Sequence, residues 1–499
     1  MSDLKYLRNQ IDDQDEIIMK ALEKRLEIAR AIGKFKQENK IEITNSNREL
    51  EILKRCENYQ FSTHIKAIYQ SIFSESKKVQ TQKYALVGQN INYSLSPTFH
   101  KEIVGLDYDI IDTDDFQSVI KSRNFLGINV TIPFKTQAFE AVDELSPEAI
   151  KTSGVNTIIN RNDKLIGYNT DYLAFKQLLK TFDVNITNKK VIIIGNGATA
   201  RTVKAALKDH NPKAIINLVR TIRNENEALI SQYKDFLDYE VIINTTPYGS
   251  ASNFQLEPLF DLDDFYQLET VIDVIYQPLN SPLLQSAKSK DECRTINGLY
   301  MLIAQAFYAD ELFLDAKLDP SIIDRVYQKY FQVLPNIVLI GMPYSGKTTI
   351  GKLIAKLTDR EFIDTDYLLA ERGQDLNKIL NSGGTIDRFR KYESELIKEL
   401  SLNQNKVIAT GGGSILNPKN VELLKANGVL IWLSPSFENL TNRTDGSRPL
   451  AKNTEELEKL YLERLSYYLT AKDIIVHNNG DIEDDAKKIL EKYYEYLNN

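Results

Sequence analysis

The chain has 499 residues, a formal net charge of −7 at pH 7, 26% charged residues and 42% hydrophobic residues. This acidic balance argues against nucleic acid or an anionic membrane surface as the main partner, because both are bound through basic patches. The length predicts about three domains, and two cysteines, Cys56 and Cys293, are too few for a disulfide framework or a cysteine metal cluster.

The N-terminal stretch MSDLKYLRNQ lacks the apolar core of a signal peptide. No segment approaches the roughly 20 apolar residues that are needed to cross a bilayer. We therefore expect a cytoplasmic protein with no membrane partner and no nucleic-acid partner, whose substrates are small molecules.

Residues 1–82 are predicted to be helical, because apolar residues recur at spacings of three, four and seven. These apolar residues are Leu4, Leu7, Ile11, Ile18, Leu22, Ala29 and Ile32. One helix of roughly thirty residues is too long for its apolar face to be covered by two shorter neighbours in the same chain. We therefore expect a homodimer formed through the N-terminal helices.

Cationic residues on this helix fall into two groups. Arg25 and Lys36, eleven residues apart, lie within about 20° on one face, whereas Arg8 is turned away by about 80 to 100°. Arg8 could therefore serve the pocket of a second subunit. The region resembles the all-helical chorismate mutase family, and the residues that match its motif positions are Arg8, Arg25, Lys36, Arg48, Glu49, Ser76 and Gln80.

That resemblance implies an intertwined dimer in which a site built across two chains rearranges chorismate to prephenate. Arg25 and Lys36 would stabilise the charge that develops on the breaking ether oxygen, and the other five residues would bind substrate. Asn45 stands where the family often has an acid. An alternative is a dimerisation or effector-sensing module without catalytic activity.

From Tyr84 the pattern changes to short β-rich runs separated by helical stretches, which is typical of wound α/β domains. The stretch KVIIIGNGATAR, residues 190–201, predicts a strand, a glycine turn and a helix that bind a dinucleotide. Arg220 and Arg223 end the next strand, where NAD-binding folds usually carry an acid. Two arginines there favour the 2′-phosphate of NADP.

The strings NYSLSPTFH, NVTIPFK, SGVNT, GYNTD, NTTPYG, DVIYQP and GLYMLIAQA, in this order, resemble shikimate dehydrogenase over about residues 84–330. The resemblance implies a substrate domain, 83–186 with 298–333, and a Rossmann NADP-binding domain, 187–297. It makes Lys135 and Asp171 the proton-transfer pair. The residues that bind the substrate would be Ser94, Ser96, Thr131, Asn156, Tyr276 and Gln305. The residues that bind the cofactor would be Gly195, Gly197, Ala198, Arg220, Thr221 and Arg223.

This middle region departs from the family pattern at three positions. A glycine of the usual G-x-G-G loop is missing, Val219 replaces an asparagine, and Ser250 stands where methionine is common. These departures concern cofactor affinity more than chemistry. An NAD-linked quinate or shikimate oxidoreductase is the alternative.

The third region begins with VLIGMPYSGKTTIGKL, residues 338–353, in which Gly341, Gly346, Lys347 and Thr348 form a phosphate-binding loop between a strand and a helix. Such a loop, with Thr349 beside it, predicts ATP and Mg²⁺. Asp364 and Asp366 follow two apart in a predicted extended run, so that both carboxylates face one side. One would hold the metal and the other would take a hydroxyl proton.

Together with FRKYE, the glycines at 411–413, NRTDGSRPL and LERLSYY, this loop resembles shikimate kinase from about residue 336 to residue 499. The resemblance implies that Arg390 and Arg464 clamp a carboxylate, that Asp366 polarises the accepting hydroxyl, and that Asp364 and Thr348 support Mg²⁺. Gly411, Gly412 and Gly413 would approach the substrate ring, Arg448 the transferred phosphoryl group, and Arg443 the adenine.

Tyr344 and Ser345 depart from this family's small residues, and the Arg464 motif lacks its usual proline. A kinase for another small polyol is the alternative. The whole chain is thus predicted to be three fused enzymes of one route: an all-α domain at 1–82, an α/β dehydrogenase at 83–333 and an α/β P-loop kinase at 334–499.

Overall fold

The structure is a computed structural model that describes residues 2–39, 41, 45–81, 83–92, 94–161, 164–290, 292–446 and 449–498. The chain forms two compact units, one of residues 1–170 with 306–317 and one of residues 171–305 with 318–499. Arg448 lies outside the described residues. Among the described helices, none is both long enough and apolar enough to cross a membrane.

The N-terminal segment is helical, as predicted. Its helices are α1 (Ser2–Glu38), α2 (Ser46–Arg55) and α3 (Ser62–Thr81), with a 3₁₀ turn at Cys56–Asn58. Helices α1 and α3 touch at Gly33, where a Cβ atom would lie 2.5 Å from the carbonyl oxygen of Gln80. Much of the apolar stripe of α1 remains exposed, including Leu7 at 54% and Ile18 at 53%.

The next segment builds a six-stranded mixed sheet of order β2-β1-β3-β5-β6-β4. Its elements are β1 (Lys83–Gly88), α4 (Ser96–Val104), β2 (Tyr108–Asp112), α5 (Phe116–Ser122), β3 (Phe125–Val130), α6 (Lys135–Glu140), β4 (Glu144–Leu145), α7 (Pro147–Thr152), β5 (Thr157–Arg161) and β6 (Lys164–Tyr168). Because β5 runs antiparallel to its neighbours β3 and β6, its first residue lies at the edge where those strands end.

A second sheet, entirely parallel, has the order β12-β11-β10-β7-β8-β9. The elements of this part are α8 (Thr170–Thr181), β7 (Lys190–Ile194), α9 (Ala198–Lys208), β8 (Ala214–Val219), β9 (Glu227–Leu229), β10 (Val241–Asn244), β11 (Thr270–Asp273), α10 (Pro282–Lys288), β12 (Arg294–Ile296), α11 (Leu299–Leu314) and α12 (Ser321–Val333), with 3₁₀ turns at Ile230–Phe236 and Ala251–Asn253. The end of α11 returns to the first unit, where a Cβ at Gly127 would lie 2.4 Å from the Phe313 ring.

The C-terminal segment is a five-stranded parallel sheet of order β14-β15-β13-β16-β17. Its elements are β13 (Asn336–Gly341), α13 (Lys347–Thr358), β14 (Glu361–Asp364), α14 (Thr365–Glu371), α15 (Leu376–Asn381), α16 (Ile386–Leu400), β15 (Lys406–Ala409), α17 (Pro418–Asn427), β16 (Gly428–Leu433), α18 (Phe437–Asn442), α19 (Thr454–Ala471), β17 (Ile474–Val476) and α20 (Ile482–Asn498), with a 3₁₀ turn at Ser414–Leu416.

Strand β13 explains how this sheet is buried on both faces. Val338 and Ile340 belong to one apolar core, whereas Ile337 and Leu339 belong to the core on the opposite face. Alternate residues of a strand point to opposite faces, so a sheet covered by helices on both sides needs an unbroken apolar run. The carboxyl ends of these parallel strands meet at one edge, and the predicted kinase residues lie on the loops at that edge and on helices α13, α14, α16 and α19.

Candidate functional sites

The phosphate loop joins β13 to α13. The Lys347 ammonium donates hydrogen bonds to the carbonyl oxygens of Gly341, at 2.8 Å, and Met342, at 2.9 Å. Gly346 has a φ of +89°, a conformation that favours glycine, and it immediately precedes α13. The lysine is thus held across the loop, and the amide groups at the start of α13 face the same space.

Tyr344 occupies the loop position at which the sequence departs from the family pattern. Its φ is +66°, which is uncommon for a residue with a side chain. The Tyr344 hydroxyl donates to the carbonyl oxygen of Ala451 at 3.1 Å. The side chain therefore links the phosphate loop to the segment that follows residue 448.

The carboxylates of Asp364 and Asp366 were predicted to share an extended run, and that prediction is wrong. Strand β14 ends at Asp364, whose carboxylate accepts hydrogen bonds from the amides of Asp366 and Tyr367 and so caps α14. Asp366 lies in the first helical turn. The Thr348 hydroxyl donates to Asp364 at 2.6 Å, which pairs a hydroxyl with a carboxylate beside the phosphate loop.

The opposite end of the site is built around Glu393, which the sequence analysis had given no role. Its side chain is 0% exposed, binds Arg390 at 2.6 Å, and accepts a hydrogen bond from Ser414 at 2.6 Å. The i,i+3 spacing of Arg390 and Glu393 on one helix was the available sequence signal. The carboxylate holds one N–H edge of the guanidinium, and Arg390 lies along Gly413, where a Cβ would fall very close to its Nη2 atom.

Arg464 completes this end of the site. It is 3% exposed, and its Nε–H has no hydrogen-bond partner among the described residues. Burial, together with the charge of Arg390, lowers the pKa of Arg464. The nearby Tyr468 hydroxyl donates to the carbonyl oxygen of Gly412 at 2.6 Å. Two guanidinium groups beside the single carboxylate of Glu393 leave positive charge that an anion can neutralise.

These groups surround one cleft of about 400 Å³. Twelve of the predicted kinase residues line it: Gly346, Lys347, Thr348, Thr349, Asp364, Asp366, Arg390, Gly411, Gly412, Gly413, Arg443 and Arg464. Gly341 is not among the lining residues, but its carbonyl oxygen accepts a hydrogen bond from Lys347. A Cβ at Gly411 would lie 2.7 Å from an Asp366 oxygen, so the glycines leave room for these side chains. The placement of Arg448 stays a prediction.

In the first unit, the predicted dehydrogenase residues gather at one edge of the mixed sheet. Ser94 and Ser96 follow β1, and their hydroxyls are 3.1 Å apart. Thr131 follows β3, and Lys135 opens helix α6 one turn later. Asn156 directly precedes β5 and is buried, with its carboxamide bonded to Thr170 at 2.7 and 3.0 Å.

In the second unit, a glycine turn joins β7 to helix α9. Gly195 has a φ of +103°, and a Cβ there would lie 2.8 Å from the Thr246 side chain. Gly197 caps helix α9, which begins at Ala198. Arg220, Thr221 and Arg223 are exposed just beyond β8, the neighbour of β7 in the parallel sheet.

Three more predicted dehydrogenase residues also lie in the second unit. Asp171 is in the first turn of α8 and is buried. Gln305 is on α11, and its side chain donates to the carbonyl oxygen of Leu302 at 3.0 Å. Tyr276 follows β11, and its carbonyl oxygen accepts a hydrogen bond from Gln404 at 3.3 Å.

In the helical segment, the structure brings Arg25 and Ser76 together, since the guanidinium donates to the Ser76 hydroxyl. Lys36 lies three turns further along α1 and is half-buried. Glu49 pairs at 2.8 Å with Lys77, a partner that the sequence analysis missed.

The remaining predicted residues of this segment have no described side-chain hydrogen bond with Arg25 or Ser76. Arg48 is directed to Glu51 at 2.6 Å, and Gln80 has a buried side-chain oxygen without a partner among the described residues. Arg8 is exposed about 25 Å along the helix from Arg25.

Comparison with known families agrees with the three regions and their order. The family model for chorismate mutase type II matches residues 7–81, that for the shikimate dehydrogenase substrate binding domain matches residues 86–158, and that for shikimate kinase matches residues 343–494. The alternative functions considered above are not favoured by these matches.

Curated relatives match a longer part of the chain than the family model for the shikimate dehydrogenase substrate binding domain does. The shikimate dehydrogenase (NADP(+)) of Clostridium beijerinckii is 31% identical over 262 residues, which are 49% of this chain and 96% of that protein. The Clostridium botulinum enzyme of the same name is 36% identical over 242 residues, which are 45% of this chain and 93% of that protein.

A solved chorismate mutase/shikimate 5-dehydrogenase fusion protein from Clostridium acetobutylicum is 30% identical, with a TM-score of 0.47 over 50% of this chain and 97% of that chain. The chain belongs to the NADP-dependent shikimate dehydrogenase family and carries a chorismate mutase domain before that enzyme and a shikimate kinase domain after it, which makes it a multifunctional enzyme of the shikimate pathway.

Proposed function

We propose that the chain reduces 3-dehydroshikimate to shikimate with NADPH, phosphorylates shikimate to shikimate 3-phosphate with ATP, and rearranges chorismate to prephenate. The observation that carries this proposal is the kinase cleft, which is lined by the phosphate loop, by Asp366 and by the arginine pair Arg390 and Arg464. A substrate that fits has a carboxylate and a free hydroxyl, as the product of the dehydrogenase has.

In the kinase domain, Arg390 and Arg464 bind the carboxylate of shikimate through their paired N–H groups. Asp366 accepts the proton of the attacking hydroxyl, and Lys347 stabilises charge on the transferred phosphate. Arg443 contacts the adenine and Arg448 the phosphoryl group. Gly411, Gly412 and Gly413 let the backbone approach the ring.

The Thr348 hydroxyl and the Asp364 carboxylate fit Mg²⁺, because both are hard oxygen ligands and lie 2.6 Å apart beside the phosphate loop. Bound Mg²⁺ would neutralise phosphate charge.

In the dehydrogenase domain, Lys135 and Asp171 would supply a proton to the carbonyl oxygen of 3-dehydroshikimate, and bound NADPH would supply the hydride to the carbonyl carbon. Ser94, Ser96, Thr131, Asn156, Tyr276 and Gln305 bind the hydroxyls and the carboxylate. Gly195, Gly197 and Ala198 would hold the cofactor, and Arg220, Thr221 and Arg223 would bind its 2′-phosphate.

In the mutase domain, Arg25 and Lys36 stabilise the ether oxygen as the bond breaks, and Arg48, Glu49, Ser76 and Gln80 hold the substrate in a compact conformer. We propose a homodimer in which Arg8 of the partner subunit completes each site. The exposed apolar stripe of α1 supports this assembly, because about half of the surface of Leu7 and of Ile18 is uncovered. The proposal includes domain boundaries at 82/83 and 333/334 and a cytoplasmic location.

One set of assays on the full chain tests the proposal. With 3-dehydroshikimate, NADPH and ATP, shikimate 3-phosphate should accumulate, and chorismate alone should give prephenate. A preference for NADH, phosphorylation of gluconate but not shikimate, or prephenate formation no faster than in buffer would each overturn the corresponding assignment. An Asp366→Asn variant should stop at shikimate and so separate the two consecutive reactions.

A further inference from the structure

The kinase part of the chain holds a loop of the dehydrogenase part through side-chain hydrogen bonds. The Gln404 carboxamide donates one N–H to the carbonyl oxygen of Tyr276 and the other to Oδ1 of Asn427, both at 3.3 Å. Gln277 returns a hydrogen bond to the carbonyl oxygen of Leu402 at 3.0 Å. Gln404, two residues before β15 of the kinase sheet, is therefore joined to the segment after β11.

Asn427, the last residue of α17, is the buried centre of this contact. It is 1% exposed, accepts a hydrogen bond from the Leu279 amide at 2.9 Å, and donates to the carbonyl oxygen of Ser401 at 2.8 Å. The next residue of the loop continues the contact, since the Asn280 amide donates to Ala426 at 2.9 Å. Buried side chains with satisfied hydrogen bonds define a single arrangement of the backbone around them.

A second dehydrogenase segment strengthens the attachment. Phe254 and Leu256 pack against the apolar core of the kinase part. The Ala251 amide donates to the carbonyl oxygen of Gln277 at 2.8 Å, which ties this segment to the loop that Gln404 holds. Both loops at the carboxyl ends of β10 and β11 are thus supported from the kinase side.

We infer that Gln404 is a positioning residue for the dehydrogenase, although it lies in the kinase part of the sequence. The inference rests on the proposed function, in which Tyr276 binds the dehydrogenase substrate. Gln404 would act through the backbone of Tyr276 and never touch the substrate. Removing it would loosen Tyr276, weaken the binding of 3-dehydroshikimate, and leave the chemistry and the kinase cleft intact.

The test measures steady-state kinetics of full-chain Gln404→Ala. We expect the KM for 3-dehydroshikimate to rise by about fivefold, because one hydrogen bond is typically worth a few-fold to tenfold in an equilibrium. The dehydrogenase kcat, the KM for NADPH and the kinase constants should stay within about twofold. Gln404→Glu should match or exceed this effect, since it places a carboxylate against two acceptor oxygens.

Two controls separate positioning from loss of structure. Lys419→Ala changes an exposed side chain near the start of the helix that ends at Asn427, and it should alter nothing. Adding Gln404→Ala to a Tyr276→Phe variant should raise the KM for 3-dehydroshikimate by less than about twofold over Tyr276→Phe alone. The reason is that the effects of substitutions at residues that act together are not additive. An additive effect would overturn the inference.

The remaining outcomes are also decisive. An unchanged KM in Gln404→Ala, or an equal change in all constants of both enzymes, would overturn the positioning role while leaving the proposed function intact. A wild-type chain that does not reduce 3-dehydroshikimate would overturn the proposed function and this inference with it.

Discussion

The kinase part and the helical part of the chain arrange their cations in opposite ways. In the kinase cleft, Arg464 is almost fully buried and Arg390 is backed by the buried carboxylate of Glu393. Along α1, by contrast, Arg8 is exposed, and Arg25 is half-buried with a single described hydrogen bond, to Ser76. In the kinase cleft, neighbouring side chains surround the charged groups. On α1, the charged groups are spread along the length of one helix.

The cause is geometric. A parallel sheet brings the loops after several strands to one edge, so residues more than a hundred positions apart in sequence can surround one substrate. A helix of 37 residues is about 55 Å long and spreads its side chains over that length. The comparison teaches that a parallel sheet can gather one site within a single chain, whereas residues spread along α1 are gathered in the proposed dimer by a second copy.

The largest expected effect is in the cleft. Asp366→Asn should lower the kinase kcat by about 10³-fold, because it removes the proton acceptor and keeps the shape of the side chain. Dehydrogenase and mutase rates of the same preparation should be unchanged, which serves as an internal control. A kinase rate within tenfold of wild type would show that Asp366 is not the base.

The next effect concerns the helical part. Arg25→Ala should lower prephenate formation by about 10²-fold, since a cation at a developing charge is worth several kcal/mol. Lys24→Ala is the matched control, because Lys24 is exposed and pairs only with Glu27 in the described contacts. Equal losses in the two variants would indicate general damage to the helix and contradict a role in the site.

A mixing experiment tests the comparison directly. Arg8→Ala and Arg25→Ala chains should each be nearly inactive as mutases. After subunit exchange, a mixture of the two should regain about a quarter of the wild-type sites, because half of the dimers are mixed and each of these has one intact site. No recovery would mean that Arg8 acts in its own chain or that the chain does not form this dimer.

The sequence predicts local features well because local chemistry decides them. The glycine turns at Gly195 and Gly346, the apolar runs of the strands and the long helix α1 all follow from residue type and spacing. Asp364 misled the prediction because its side chain caps a helix, a competing use of a carboxylate that the strand pattern conceals.

Hydrogen bonds between residues far apart in the sequence could not be predicted in the same way. The contact of Glu393 with Ser414 joins residues 21 apart, and that of Gln404 with Tyr276 joins residues 128 apart. No periodicity encodes such pairs, because they depend on how whole elements pack. The sequence therefore indicates which residues do chemistry more readily than which residues hold them.

The smallest expected effect sharpens the comparison through pH. Asp273, at the end of β11, is fully buried, and burial raises its pKa to about 7 against the opposing hydrogen bonds from Ser281, Ile275 and Asn244. The exposed Glu51 of α2 behaves in the opposite way, because hydrogen bonds from Arg48 and Arg55 lower its pKa. The pKa values of these two carboxyl groups are thus shifted in opposite directions. Their contributions to the free energy of unfolding therefore change with pH in opposite directions.

Since the folded state keeps the proton of Asp273 up to about pH 7 and the unfolded state loses it near its ordinary value of 3.8, the free energy of unfolding falls as pH rises between these limits. Asp273→Asn removes this slope. Calorimetry of the full chain should find the melting temperature of wild type, relative to the variant, lower at pH 8 than at pH 5 by about 2 to 4 °C. Asp263→Asn, at a side chain that is 78% exposed, is the control. Its melting temperature should change with pH as that of wild type does. If Asp273→Asn also ran parallel to wild type, the buried carboxylate would titrate as it does in the unfolded chain, and the contrast with the helical part would disappear.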